Sequence, residues 1–187
     1  MENLLETEIN KINRIKKLME TTITTELLRM PTAILPYLDG AIVSGGATAS
    51  FYHGEQPNDY DIYLRDSLTA TTFSLMVQNN EELKEFVKEI NDKYYDDTII
   101  PGLLITTRAV TFKNGLQVIT FLTRDDRHTF DYIHCMPYLD LHTRKFHISE
   151  NQLRSIKHKK LVKNKFSAKT PSLRRTQKFI DRGWTLE

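Results

Sequence analysis

One cysteine, Cys135, stands in 187 residues, which excludes an intramolecular disulfide and fits a reducing compartment; a cytoplasmic location is expected. No apolar run approaches the ~20 residues that a bilayer-crossing helix needs, so no membrane association is expected. The opening stretch, MENLLETEINKINRIKKLME, is charged throughout, unlike the apolar core of a secretory leader. Internal repeats and low-complexity tracts are missing, which excludes solenoids and arrays. The histidines at 128, 134, 142, 147 and 158 follow no zinc spacing and read as surface or core residues. Cys135 itself, in an apolar context, reads as a small buried hydrophobe rather than a nucleophile.

What is present is an ordinary globular composition, 40% apolar and 27% charged, enough for one substantial core. The net charge of +2 hides a division. Residues 1–140 carry 13 Lys/Arg against 21 Asp/Glu, and residues 141–187 carry 13 against 3. An acidic body, 1–140, is therefore expected to bear a basic helical neck, 141–187, and clustered cations attract polyphosphates, nucleotide or nucleic acid alike. Lys157, Lys159, Lys160, Lys163 and Lys165 form the general electrostatic surface of that neck.

Apolar residues at three- and four-residue steps, including Ile12, Ile15 and Met19, predict a long amphipathic helix, or two in succession, over 2–29, ended by Pro31. Strands are predicted near 41–44, 59–65, 103–112, 116–122 and 130–135. Asn114-Gly115 marks a hairpin between the third and fourth, because both central turn positions favour positive φ. Leu83, Phe86, Val87 and Ile90 predict that 67–95 is helical. Ser149 with Gln152 reads as a capping box opening a helix through Leu161. Thr170 as N-cap, Pro171 and Gly183 delimit a last helix. The sum is an α+β fold, a mixed sheet flanked by helices.

The stretch AIVSGGATASFYHGEQPNDYDIYL, residues 41–64, concentrates the chemistry. Gly45 and Gly46, between a strand and a helix start, let backbone N–H groups approach an anion, with Ser50 and Thr48 adding hydroxyls. Asp59 and Asp61, two apart on a strand, project from one face and can reach a hard cation such as Mg²⁺. Asp131, on a neighbouring strand, is the candidate third carboxylate. Two Mg²⁺ ions in such a site favour transfer of a nucleoside monophosphate from an NTP. Tyr63 and Tyr132 are candidates for stacking a base.

The order Gly45-Gly46, twelve residues, then Asp59-Tyr60-Asp61-Ile62 resembles the signature of the DNA polymerase β-like nucleotidyltransferase superfamily. FDYIHCMPYLD, residues 130–140, is similar to a stretch of its tRNA nucleotidyltransferase and poly(A) polymerase branch, with Asp131 and Asp140 at matching positions. SLRRTQKFIDRGWTLE is similar to that branch's neck helix, whose arginines contact the incoming nucleotide; this implies substrate-binding roles for Arg174, Arg175 and Lys178. The resemblance implies a nucleotidyltransferase-type sheet, Gly45, Gly46 and Ser50 on the triphosphate, and Asp59, Asp61 and Asp131 as metal ligands and catalytic carboxylates, with RNA as acceptor. Ser44, Thr48 and Ala49 depart from the family's pattern, as does the separation of Arg127 from Asp131, and mark a divergent, stand-alone or viral kind of enzyme. Three rivals are a nucleotidyltransferase that modifies a protein hydroxyl or a small molecule, a nucleic-acid-binding module on a catalytically retired nucleotidyltransferase scaffold, and a structural or assembly protein that shares the fold.

Overall fold

The computed structural model describes residues 2–91, 109–168 and 170–187. Helix α1 (Glu2–Leu28) is one uninterrupted element, and its Ile15, Met19 and Ile23 are fully buried at helical spacing. A 3₁₀ segment, Thr32–Leu38, follows Pro31 and leads into β1 (Ile42–Ser44). Then come α2 (Ala47–Tyr52), β2 (Tyr60–Leu64) and α3 (Ser67–Asn79). The Asp66 carboxylate caps α3 by accepting from the Thr69 N–H at 2.8 Å, satisfying one of the donors that a helix start leaves free. No helix among the described residues is long and apolar enough to cross a membrane.

After the single turn α4 (Glu81–Lys84) the chain is extended as β3 (Val87–Asn91), where a helix was expected. β3 runs antiparallel to β4 (Ala109–Phe112) at the sheet edge. Spacings of three and four among Leu83, Phe86 and Val87 do not separate a helix from a turn followed by a strand, and ladder bonds available at the sheet edge decide it. The expected helix at 92–95 and strand at 103–108 lie outside the described residues. β4 joins β5 (Leu116–Thr123) as the expected hairpin, with Thr111 opposite Gln117. Its loop has three residues, and only Gly115, at φ +86°, takes positive φ; the two-residue turn in which Asn114 shares that conformation is not formed.

The described strands form a seven-stranded mixed sheet, order β3-β4-β5-β2-β1-β6-β7, with β6 at Tyr138–Asp140 and β7 at Phe146–His147. β2 and β5 are its parallel pair. The expected mixed sheet flanked by helices is thus present. α3 lies over β5 and β2, contributing the fully buried Phe73, a burial that stabilises by about 2–3 kcal/mol before side-chain entropy is counted. The strand expected at 130–135 is not formed. Thr123 and Asp126 close a capping box that turns the chain into 3₁₀ segments at Arg124–Thr129 and Ile133–Cys135, and β6 takes the place beside β1.

The basic segment is less helical than expected. Ser149 and Gln152 do make the capping box, but α5 (Glu150–Lys157) ends early. β8 (Lys160–Leu161) then pairs in parallel with β9 (Thr185–Leu186). α6 (Leu173–Ile180) is capped by Ser172, not Thr170; the Ser172 hydroxyl accepts from the Arg175 N–H at 3.2 Å. Gly183, at φ +82°, turns the chain out of it.

Candidate nucleotide site

The bend after β1 is built by two glycines with different work. Gly45 has φ +98°, and a Cβ there would fall 2.6 Å from Oδ2 of Asp61; a side chain is excluded both by conformation and by the carboxylate lying against the bend. Its N–H donates to the Cys135 carbonyl at 3.0 Å. Gly45 therefore makes room for Asp61 and does not offer its N–H to a phosphate, as the sequence suggested it would. Gly46, with ordinary φ −73° at the start of α2, faces open space. Ser44 anchors the bend by donating to the carbonyls of Cys135 and Pro137 at 3.0 and 2.9 Å. Thr48 points to α1, its hydroxyl 3.6 Å from the Met19 sulfur, and so leaves the site to Ser50.

A cavity of about 480 Å³ opens over this bend. It is lined by Gly45, Gly46, Ser50, Asp59, Asp61 and Tyr63 from the stretch between β1 and the end of β2, by Asp131 and Cys135, and by Arg175, Lys178, Phe179 and Arg182 from α6 and the turn after it. Asp59 immediately precedes β2 and is exposed, whereas Asp61 is half-buried within the strand. Burial, with the neighbouring charge of Asp59 added, pushes the Asp61 carboxyl up to about 7; Arg175 and Lys178 pull the other way. A carboxylate destabilised by its surroundings in this manner is the group that a cation relieves.

The third carboxylate is engaged elsewhere. Oδ2 of Asp131 lies 2.6 Å from Nε of Arg175, and Oδ1 accepts the Tyr132 N–H at 2.9 Å. Among the described residues no group of three or more His, Cys, Asp and Glu side chains is arranged to hold a metal ion, so Asp59, Asp61 and Asp131 are in one cavity without forming one cluster. The hard oxygen donors of Asp59 and Asp61 fit one divalent cation. A second would require Asp131 to leave Arg175.

On α6 the residues facing the cavity are Arg175, Lys178, Phe179 and Arg182, a three-and-four spacing that continues one turn past the helix end. Arg174, for which the resemblance implies a substrate-binding role, is exposed and outside the cavity lining. Arg182 was not singled out from the sequence, although its spacing from Arg175 and Lys178 carried the signal. Its Nη2 reaches Ser50 Oγ at 3.2 Å and Glu55 Oε2 at 2.9 Å.

Tyr63 lines the cavity, its hydroxyl held protonated by burial. Tyr132 does not; it is buried, with its hydroxyl 2.8 Å from Thr176 Oγ1. Burial pushes the Cys135 thiol up to about 12, in keeping with an inert side chain. His134, fully buried, packs between Phe179 and Trp184 with ring centroids 4.6 and 4.1 Å away, and neither ring nitrogen has a hydrogen-bond partner. Burial, helped by Arg175 and Arg182, lowers its pKa to about 3, so the ring is neutral. Two lysines of the expected electrostatic surface are tied to the acidic body: Lys157 to Glu8 at 2.5 Å and Lys159 to Glu55 at 3.0 Å.

Among solved structures, the chain is similar to the CCA-adding enzyme of Thermotoga maritima complexed with tRNA (12% identity, TM-score 0.42, covering 84% of this chain and 40% of that one). It is also similar to a CCA-adding enzyme in apo form (14%, 0.45, 86% and 41%) and to one in complex with CTP (14%, 0.42, 73% and 34%). A curated relative, Gabija anti-defense 2 of Bacillus phage SPbetaL7, is 30% identical over 154 residues, which cover 78% of this chain and 34% of that protein. The chain thus spans about a third of that relative's length. Residues 11–159 match the family described as Gabija anti-defense 2 family protein, and with most of its length inside that match the chain belongs to the Gabija anti-defense 2 family.

Proposed function

We propose that the cavity binds a nucleoside triphosphate with a divalent cation and transfers the nucleoside monophosphate to an acceptor hydroxyl, and that by family membership this activity serves anti-defense. The observation that carries the reading is that Asp59 and Asp61, beside a bend that only glycine can make, line one cavity together with Arg175, Lys178 and Arg182. Asp59 and Asp61 would hold the cation. When bound, it supplies Lewis-acid stabilisation of charge on the phosphates.

The chain's own groups divide the remaining work. Gly46 leaves space for the triphosphate against α2, while Ser50, Lys178 and Arg182 bind its oxygens and orient it. An acceptor hydroxyl oxygen attacks the α-phosphorus, the bond from that phosphorus to the α,β-bridging oxygen breaks, and pyrophosphate leaves. Asp131 takes the hydroxyl proton once Arg175 turns from it to the phosphates. Tyr63 lies on the wall where a base or sugar would rest.

Incubating the chain with labelled NTPs, Mg²⁺ and either RNA or candidate protein acceptors tests this reading. Incorporation should fall at least ~100-fold in Asp61→Asn with folding intact, and the labelled product identifies RNA or protein as the acceptor. Unchanged incorporation in Asp61→Asn removes the aspartates from the mechanism.

The Asp131–Arg175 pair favours one alternative, a scaffold that binds nucleotide or nucleic acid without turnover. It predicts salt-sensitive binding that survives Asp59→Ala, with no incorporation by the wild-type chain.

A further inference from the structure

Glu55 lies beside the cavity rather than in its lining. One of its oxygens accepts from Nη2 of Arg182 at 2.9 Å and the other from Nζ of Lys159 at 3.0 Å. The same Nη2 of Arg182 reaches Ser50 Oγ at 3.2 Å, and Ser50 and Arg182 both line the cavity. The backbone ties these parts together: the Glu55 N–H donates to the Ser50 carbonyl at 2.8 Å, and the Thr185 N–H to the Lys159 carbonyl at 2.9 Å. Nζ of Lys159 also donates to the Arg182 carbonyl at 3.2 Å.

Lys159 has φ +48°. It stands just after α5, where glycine commonly ends a helix because a Cβ is strained in that conformation. Lysine here carries a strain that glycine would not, and what glycine would lack is the ammonium on Glu55. That ammonium alters the local charge. Arg182 with Glu55 alone is neutral, whereas Arg182, Glu55 and Lys159 together are net positive, so the guanidinium is fixed without its attraction for an anion being cancelled.

We propose that Glu55 and Lys159 are positioning residues that hold Arg182 against Ser50 as an anion-binding wall, and so set the affinity of the cavity for the polyphosphate end of its ligand. This rests on the nucleotide reading above. A free arginine must give up side-chain freedom each time it binds; one already held by two hydrogen bonds has lost most of it beforehand and keeps further N–H donors for the ligand.

The test titrates inorganic tripolyphosphate, and separately a non-hydrolysable NTP with Mg²⁺, into the wild-type chain and its variants. Glu55→Gln makes the wall more positive by one charge, so plain attraction predicts tighter binding of both probes; positioning predicts binding about fivefold weaker. Lys159→Gly should also weaken binding while leaving the melting temperature unchanged or raised, because strain is relieved as the ammonium is lost. Combined with Arg182→Ala, which alone should cost about tenfold or more, neither variant should cost anything further. Tighter binding by Glu55→Gln, losses that add fully to that of Arg182→Ala, or a wild-type chain that takes up neither probe overturns the proposal. Uptake of tripolyphosphate with the expected variant pattern, but no uptake of NTP, overturns the nucleotide reading and leaves the wall standing.

Discussion

The two walls of the cavity solve the problem of held charge in opposite ways. On the sheet side, Asp61 is set on β2 beside Asp59, where burial and like charge raise its carboxyl to about 7. On the helix side, Arg175 is paired with Asp131 and Arg182 with Glu55. In the proposed reading a cation relieves the acidic wall, whereas on the basic wall Arg182 is held in advance and Arg175 must first part from Asp131.

The largest break in this contrast is Gly45→Ala. A methyl 2.6 Å from Asp61 Oδ2, at φ +98°, should destabilise the fold by about 3 kcal/mol, whereas Gly46→Ala, facing open space, should change stability by no more than ~0.5 kcal/mol. Denaturant midpoints of the two variants settle it; equal losses would mean that Asp61 does not lie against the bend. Next in size is Asp61→Asn. Because the folded carboxyl holds its proton up to about pH 7 while an unfolded aspartate releases it near 3.8, the wild-type chain should lose stability as pH rises from about 4 to about 7 and recover none above that. The Asp61→Asn variant should escape this loss, by about 2 kcal/mol at pH 8. Added Mg²⁺ should narrow the gap by stabilising the wild type, and thermal melts across pH with and without the ion measure both effects. The smallest effect sharpens the basic side: Ser172→Ala removes the cap of α6 and should cost about 1 kcal/mol, while Thr170→Ala leaves that cap in place and should cost less than half as much. Chemical denaturation distinguishes the two.

The sheet and the glycine–aspartate bend were legible because their signals are local. Gly45 to Asp61 lies within one strand–turn–helix–strand unit, and the Asn114-Gly115 turn joins neighbours in the chain. The failures depend on partners distant in sequence. Residues 87–91 could become a strand only because β4 is there to pair with them, and residues 130–135 lose strand structure to a capping box upstream and to the Asn164 side chain, which donates to the carbonyls of His128 and Phe130 at 2.7 and 2.8 Å. Within the site, Asp131 was read as a metal ligand from its place in a motif, but spacing does not reveal that Arg175, forty-four positions later, reaches it first. Arg182 falls within the helix expected between Pro171 and Gly183, four positions after Lys178; the resemblance directs attention to Arg174, Arg175 and Lys178 instead, and no sequence spacing shows that Arg182 meets Ser50 and Glu55, 132 and 127 positions earlier.

Trp184, the chain's one tryptophan, is buried two positions after Arg182, its backbone N–H bonded to the Phe179 carbonyl at 3.1 Å and its indole against the neutral imidazole of His134. A ligand that shifts Arg182 or Phe179 should therefore change the emission of this single tryptophan, and a fluorescence titration with unlabelled tripolyphosphate would read that change.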